Sequence, residues 1–430
     1  MEITPPKGAP MGGYLGHAEP AEDVHDPLFA RALVLDDGRQ RVAILSADLP
    51  EVSPAFAADV RRRIEQELGV PAANTLFTVT HTHAGPLVVA RPGGSPDVLY
   101  LENLRDKLVG AVRAALRTLR PARVGAGRAK VHLGVNRREL AAQARVVMGR
   151  NPAGYASPYA YVLAVVEEGR GPIAILFTCG AHPVVLGPEN RAISGDYAGC
   201  AERVVEENFG GLPAALFAIG FAGNVNVNCS RRDFDEVETI GSALGRAVLE
   251  ELKVIRPVRG LGLAVRSQRV ALPTEPVPSR DEAERRLYLE REALASILGR
   301  GEDKAEINRR RLRVEWAARL VQVASQPESA APVELEVQGI AIGPTALVGA
   351  SAEVFAEYEK ALQGASPFAL TIPVGCANGT MACVPTAAAF DEGGYEVETA
   401  PCLFGTLRLS PEVEAVVQQA FARVLVDLTG

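Results

Sequence analysis

Residues 80 to 83 read Thr80-His81-Thr82-His83 and close the apolar run Thr75-Leu76-Phe77-Thr78-Val79. They hold two of the chain's six histidines. If the strand continues through them, side chains alternate faces and rise about 3.3 Å per residue, so His81 and His83 share a face with Cβ atoms about 7 Å apart. One metal ion, or a metal ion and its substrate, would then meet both imidazoles. The pair equally suits a strand end carrying two hydrogen-bonded polar side chains, since histidine is the commonest metal ligand and also a common surface residue. His182 lies in Cys179-Gly180-Ala181-His182-Pro183, just past another apolar run, Ile173 to Thr178. Glu353 ends the polar, glycine-containing stretch Gly349-Ala350-Ser351-Ala352-Glu353. Together His81, His182 and Glu353 give two imidazoles and a carboxylate, the donor set of many catalytic zinc sites, which keep one position open for water. No spacing forces the three together. Cys179 and His182 also admit a cysteine hydrolase, although such pairs usually come from distant segments and no third member is evident.

Stepping from these residues to what must hold them, the first third predicts α/β order: strands over Ala32–Leu35 and Val42–Ser46, a helix over Pro54–Leu68, then the strand into His81. A helix from about Tyr100 to Leu119 follows, then strands near Val124–Ala129, Tyr161–Glu167 and Ile173–Thr178. Ala198–Asn208 and Val237–Leu252 read as helices, and Ala214–Ile219 as a buried strand before the Gly220–Asn228 loop. Between Arg280 and Val323 apolar and charged residues recur at helical spacing on either side of Gly299-Arg300-Gly301, which predicts an αα-hairpin. It holds no histidine or cysteine, so an arm, lid or contact surface suits it better than a chemical centre. Strand signals return at Pro332–Ile342 and Leu347. The expected fold is a mixed β-sheet core flanked by helices, one domain over residues 1–430 with the hairpin inserted at about 279–325.

The 430 residues bury a substantial core without staples, and the six cysteines show no Cys-x-x-Cys and no regular framework, as reduced cytosolic thiols would. The Met1–Gly8 stretch lacks a basic start followed by an apolar run, and no segment is apolar for the roughly eighteen residues a bilayer requires. The expectation is a cytoplasmic protein with no stable membrane association. A net charge of -7 without a long basic run argues against nucleic acid as the partner; Arg61-Arg62-Arg63 and Arg309-Arg310-Arg311 sit in helical patterns with acidic neighbours. A small-molecule substrate is the expected partner, and the chain is compatible with a homo-oligomer.

Four blocks, taken in order, resemble the N-terminal catalytic domain of the neutral/alkaline non-lysosomal ceramidase family. They are Ile3-Thr4-Pro5-Pro6 with Gly12-Gly13-Tyr14, Thr80 to Pro86, Gly180-Ala181-His182-Pro183 with Ser194-Gly195-Asp196, and Gly375 to Glu396. The resemblance implies a ceramidase-like fold and one Zn2+ held by His81, His182 and Glu353. Family members that act on ceramide are typically secreted and carry a further β-domain, so this chain looks like a short bacterial-type relative. The family's fourth ligand is a tyrosine, and Cys383 in Ala382-Cys383-Val384-Pro385-Thr386 takes its place. A thiolate binds zinc well; a buried, uncoordinated thiol fits the same position. The resemblance further implies substrate-contacting roles for His83, for Arg137 in Asn136-Arg137-Arg138, and for Tyr395 before Glu396. A serine proposed as nucleophile in the family is replaced by Asn226 in Gly223-Asn224-Val225-Asn226-Val227-Asn228. An amide cannot attack, so Asn226 is left to orient substrate, and hydrolysis must use metal-activated water. Asp48 and Asp196 are candidates to fix a histidine tautomer, or equally a cap and a turn.

The resulting expectation is a zinc-dependent hydrolase that cleaves an amide C–N bond of a soluble or N-acylated small molecule, with ester or lactone cleavage as variants. Its rival is a non-catalytic relative that holds a metal or a small molecule on the same scaffold.

Overall fold

The computed structural model describes residues 1–15, 20–91, 94–141, 145–298 and 304–430. Its apolar runs form strands buried on both faces. In Arg41–Ala47, Val42 and Ile44 point into one apolar cluster while Ala43, Leu45 and Ala47 point into another, the two-residue period of extended chain. That strand pairs antiparallel with Ala30–Asp36 and parallel with Thr75–Val79. A second sheet runs in the order Ala214–Ile219, Gly171–Cys179, Tyr159–Glu167, Arg123–Lys130, its first pair parallel. A third runs Leu263–Ala271, Glu334–Ile342, Thr345–Ala350, Leu370–Val374, its last pair parallel.

The inner faces of these sheets share one core. Ile44 and Leu76 from the first, Leu163, Leu176 and Leu216 from the second, and Ile340 and Leu347 from the third all belong to it. Helices Pro54–Leu68, Val98–Arg117, Asp196–Asn208 and Phe234–Val254 cover the outer faces of the first two sheets through Val60, Leu104, Ala201 and Leu244. Tyr358–Ala365 and Val413–Asp427 cover the third through Leu362 and Phe421. This is the mixed-sheet α/β architecture that the element order predicts. The Pro54–Leu68 helix has the expected bounds because Ser53 caps it, accepting from the Phe56 N–H, and Gly69 ends it at a φ of 70°.

The hairpin is present as helices Arg280–Leu298 and Lys304–Ser325 packed on each other; its turn at Gly299-Arg300-Gly301 lies outside the described residues. Trp316 and Leu312 pack on Cys402, and the Trp316 indole donates to the Thr406 carbonyl at 2.7 Å. The hairpin therefore braces the segment that begins at Tyr395. Among the described residues, no helix is long and apolar enough to cross a membrane.

Asn378 ties two sheets together at the end where the loops gather. It is buried, with a φ of 61°. Its Oδ1 accepts from the Phe77 N–H at 3.0 Å, and its Nδ2 donates to Glu336 at 2.9 Å and Gln338 at 2.8 Å. Asn378→Ala strands these buried groups without partners, so it should destabilise the protein by about 3 kcal/mol in urea unfolding; a change below about 0.5 kcal/mol would contradict this role.

Candidate metal centre

The strand before the histidine pair ends at Val79, and His81 adopts a left-handed backbone with a φ of 65°. The strand alternation expected for His81 and His83 is therefore corrected: a turn, not a shared strand face, brings their rings to 5.0 Å between centroids at 81°. Hydrogen bonds from Thr80 N–H to Ala47 O at 2.9 Å and from His81 N–H to Leu49 O at 3.0 Å hold that strained backbone. His182 follows Gly171–Cys179, and its ring lies 4.7 Å from that of His81.

Each imidazole is oriented by a backbone carbonyl. His81 Nδ1 donates to the Pro50 carbonyl, and His182 Nδ1 donates to the Val225 carbonyl at 3.0 Å. A carbonyl only accepts, so the neutral rings must carry their protons on Nδ1 and turn the Nε2 lone pairs inward. His81 Nε2 lies 4.0 Å from Glu353 Oε1, and His182 Nε2 lies 3.3 Å from Glu353 Oε2. His81 Nε2 is buried and has no hydrogen-bond partner among the described residues. Divalent metals hold such N and O donors at about 2.0–2.2 Å, which places tetrahedral neighbours about 3.4 Å apart. The donor set fits a metal ion.

Glu353 reaches the histidines through a short parallel pairing of Glu353–Val354 with Cys383–Val384 that sets Glu353 beside Cys383. The Cys383 thiol lies 3.5 Å from Glu353 Oε2. Burial, then the charge of Glu353, pushes its pKa well above the ordinary thiol value. Gly223 lets the Gly220–Asn228 loop pass against this segment, because a Cβ there would meet the Glu353 carbonyl oxygen at 2.6 Å. Burial alone would raise the Glu353 pKa. The two histidine rings and the permanent charge of Arg137 around it outweigh burial and hold the carboxyl ionised.

His83 completes a triangle in which the histidine donor atoms lie within 4.8 Å of one another. Both of its ring nitrogens are buried without partners, and Tyr14 packs edge-on against it at 4.8 Å. Gly13, at a φ of 96°, permits that approach: a Cβ would lie 2.7 Å from His83 Cα. Arg137 Nη1 lies 3.4 Å from both His182 Nε2 and Asn226 Oδ1, and the guanidinium sits 5.6 Å from the centre of the Tyr395 ring. Burial, then the charge of Glu353, raises the Tyr395 pKa and keeps the phenol protonated.

The structure thus gathers His81, His83, His182, Glu353, Cys383, Arg137, Asn226 and Tyr395 around one point. Asp48 and Asp196 are not beside a histidine. Asp48 accepts from Phe29 N–H at 2.7 Å and faces Arg31, while Asp196, in the first turn of its helix, accepts from Tyr197 N–H at 2.6 Å and Leu186 N–H at 3.3 Å. Cys179 gives no nucleophile: burial pushes its thiol up to about 12, and the His182 ring faces Val225, Glu353 and Arg137. Sequence reasoning missed Cys376, 3.9 Å from His81 Nδ1, and the carboxylate of Glu396 against Arg137. For Glu396 a signal existed: the Arg137-Arg138 pair, once buried, demands a carboxylate partner.

A buried cluster of histidines and a carboxylate at the strand ends of an α/β fold defines the class: a protein built around a candidate metal centre. The family model described as neutral/alkaline non-lysosomal ceramidase, N-terminal, matches residues 2–228, more than half the chain, and the chain belongs to that family. A neutral ceramidase of Mycobacterium tuberculosis is 26% identical over 294 residues, covering 60% of this chain and 45% of that protein. One of Oryza sativa subsp. japonica is 25% identical over 230 residues, covering 48% of this chain and 28% of that protein. The chain thus spans less than half the length of these relatives. The crystal structure of neutral ceramidase from Pseudomonas aeruginosa shares the fold at a TM-score of 0.73 and 20% identity, over 99% of this chain and 73% of that one.

Burial, then the proton-binding ring of His182 alongside, lowers the His81 pKa to about 4, against about 6.5 in an unfolded chain. Between those values the unfolded chain binds the extra proton, so the stability linked to neutral His81 is complete above pH 6.5 and is lost as pH falls towards 4. Metal-free protein should therefore lose about 1–2 kcal/mol between pH 7 and pH 5 relative to a His81→Asn variant. Parallel pH dependences of the two in urea unfolding would contradict the assignment.

Proposed function

We propose that this chain is a zinc-dependent hydrolase that cleaves the amide C–N bond of an N-acylated small molecule. His81, His182 and Glu353 hold the metal and Cys383 is its fourth protein donor, with residues 1–430 acting as one catalytic unit. The observation that carries the reading is the pair of imidazoles locked by Pro50 and Val225 with both Nε2 atoms turned to Glu353. Family membership supports the bond type: the relatives are named for ceramide, an N-acyl amide.

Zinc, when bound, supplies Lewis acidity that makes water a nucleophile near neutral pH. The side chains supply the rest. Burial, then the proton-binding rings of His81 and His182 alongside, lowers the His83 pKa well below its ordinary value, so the ring stays neutral with one nitrogen free to take a proton and the other to give one. Arg137 Nη2 is buried without a partner and suits the oxygen on which negative charge develops. Tyr395, held as a neutral phenol, is a second donor. Asn226 beside Arg137 orients substrate and cannot attack it. His81 and His182, 4% and 1% exposed, keep bulk water from the cluster.

Purified protein should release amine from a fluorogenic N-acyl aminocoumarin. His83→Ala should retain the metal and lower kcat by about 10²- to 10⁴-fold, the usual worth of a general acid–base group. Unchanged turnover in that variant would remove His83 from the chemistry.

A further inference from the structure

Glu396 is buried, 3% exposed, and is gripped by two arginines at once. Arg137 Nε donates to its Oε1 and Arg138 Nη1 to its Oε2, each at 2.8 Å. The guanidiniums are themselves buried, with side chains 5% and 7% exposed. Arg138 is otherwise saturated: its Nη2 donates to Glu392 and to the Gly393 carbonyl, both at 2.9 Å. Arg137 is not, for its Nη2 is buried and has no hydrogen-bond partner among the described residues. One arginine of the pair is committed to structure and the other keeps a donor free.

The charge arrangement explains why that donor needs an anchor. Glu353 also attracts Arg137, and Arg137 Nη1 already stands 3.4 Å from His182 Nε2. A guanidinium without its own carboxylate would settle on Glu353, engaging the oxygens that face the histidines. Glu396 supplies that carboxylate from the far side, and Arg138 supplies the second positive charge that makes its burial affordable. We infer that Glu396 is a positioning residue, which holds Arg137 off Glu353 and keeps Nη2 presented to an anionic oxygen of a bound ligand. The inference rests on the proposed substrate-facing role of Arg137.

Binding tests it without turnover. Octanoate, a carboxylate with a short acyl chain, is titrated calorimetrically into the protein as purified and into its variants. Arg137→Ala and Glu396→Gln should each weaken binding at least tenfold, and the double variant should bind no more weakly than Arg137→Ala alone, since both changes disable one device. Guanidinium ion at millimolar concentration should restore octanoate binding to Arg137→Ala but not to the double variant, a rescue that a merely structural Glu396 would not govern. Glu392→Gln, on the half-exposed side of Arg138, should bind within about twofold of the unaltered protein. If Glu396→Gln does not fold, Glu396→Asp, which keeps the charge but cannot span both arginines, carries the same expectation. Wild-type-like binding by the Glu396 variant, additive losses in the double variant, or no octanoate binding by the unaltered protein would each overturn the inference. Failure to hydrolyse amides, with this binding pattern intact, would count against the proposed reaction alone.

Discussion

Two backbone carbonyls decide what this site can be. Pro50 and Val225 accept the Nδ1 protons of His81 and His182, and that alone fixes the tautomers and turns both Nε2 lone pairs on Glu353. Main-chain bonds keep each histidine beside its carbonyl: His81 N–H donates to the oxygen of Leu49, the residue before Pro50, at 3.0 Å, and His182 N–H donates to Val225 O itself at 2.9 Å. Rotating either ring would leave a buried carbonyl without its donor, at a cost of about 1–3 kcal/mol. The left-handed backbone at His81 persists because these contacts over-determine it.

The rest of the fold delivers partners to that pair. Parallel pairing brings the ends of Arg41–Ala47 and Thr75–Val79 together in one sheet, beside Pro50 and His81, and those of Gly171–Cys179 and Ala214–Ile219 together in another, beside His182 and the Gly220–Asn228 loop. The third sheet contributes Glu353 just after Thr345–Ala350, and Asn378 bonds that sheet to Phe77 of the first. Charge is then balanced along a chain of contacts. Glu353 faces the histidines, Arg137 stands beside His182, and Glu396 bridges Arg137 and Arg138. Trp316 and Arg313 of the hairpin steady the segment carrying Tyr395 and Glu396 through Thr406 and Thr399.

The strands legible in the sequence are those buried on both faces, where continuous apolar runs such as Val42 to Leu45 announce themselves. Among the described residues, four others of five residues or more escaped, besides five shorter ones. Gly134–Leu140 and Leu263–Ala271 are interrupted by Arg137-Arg138 and by Arg266-Ser267-Gln268-Arg269, Val146–Asn151 is exposed along much of its length, and Leu370–Val374 contains Pro373, tolerated there because the strand is an edge. Candidate site residues were legible one by one as polar positions after apolar runs. Their mutual geometry was not, because it depends on a left-handed residue at 81 and on the pairing of Glu353 with Cys383, thirty positions further along the chain. Backbone carbonyls carry no sequence signature at all, so Pro50 and Val225 could be found only in the fold.

Metal content tests the central claim most directly. Elemental analysis by inductively coupled plasma mass spectrometry, on the untagged protein beside its His182→Ala and Glu353→Gln variants, should give about one zinc per chain in the first and little in the others. Protein that holds no metal and cannot be reloaded, or variants that keep full occupancy, would contradict the account.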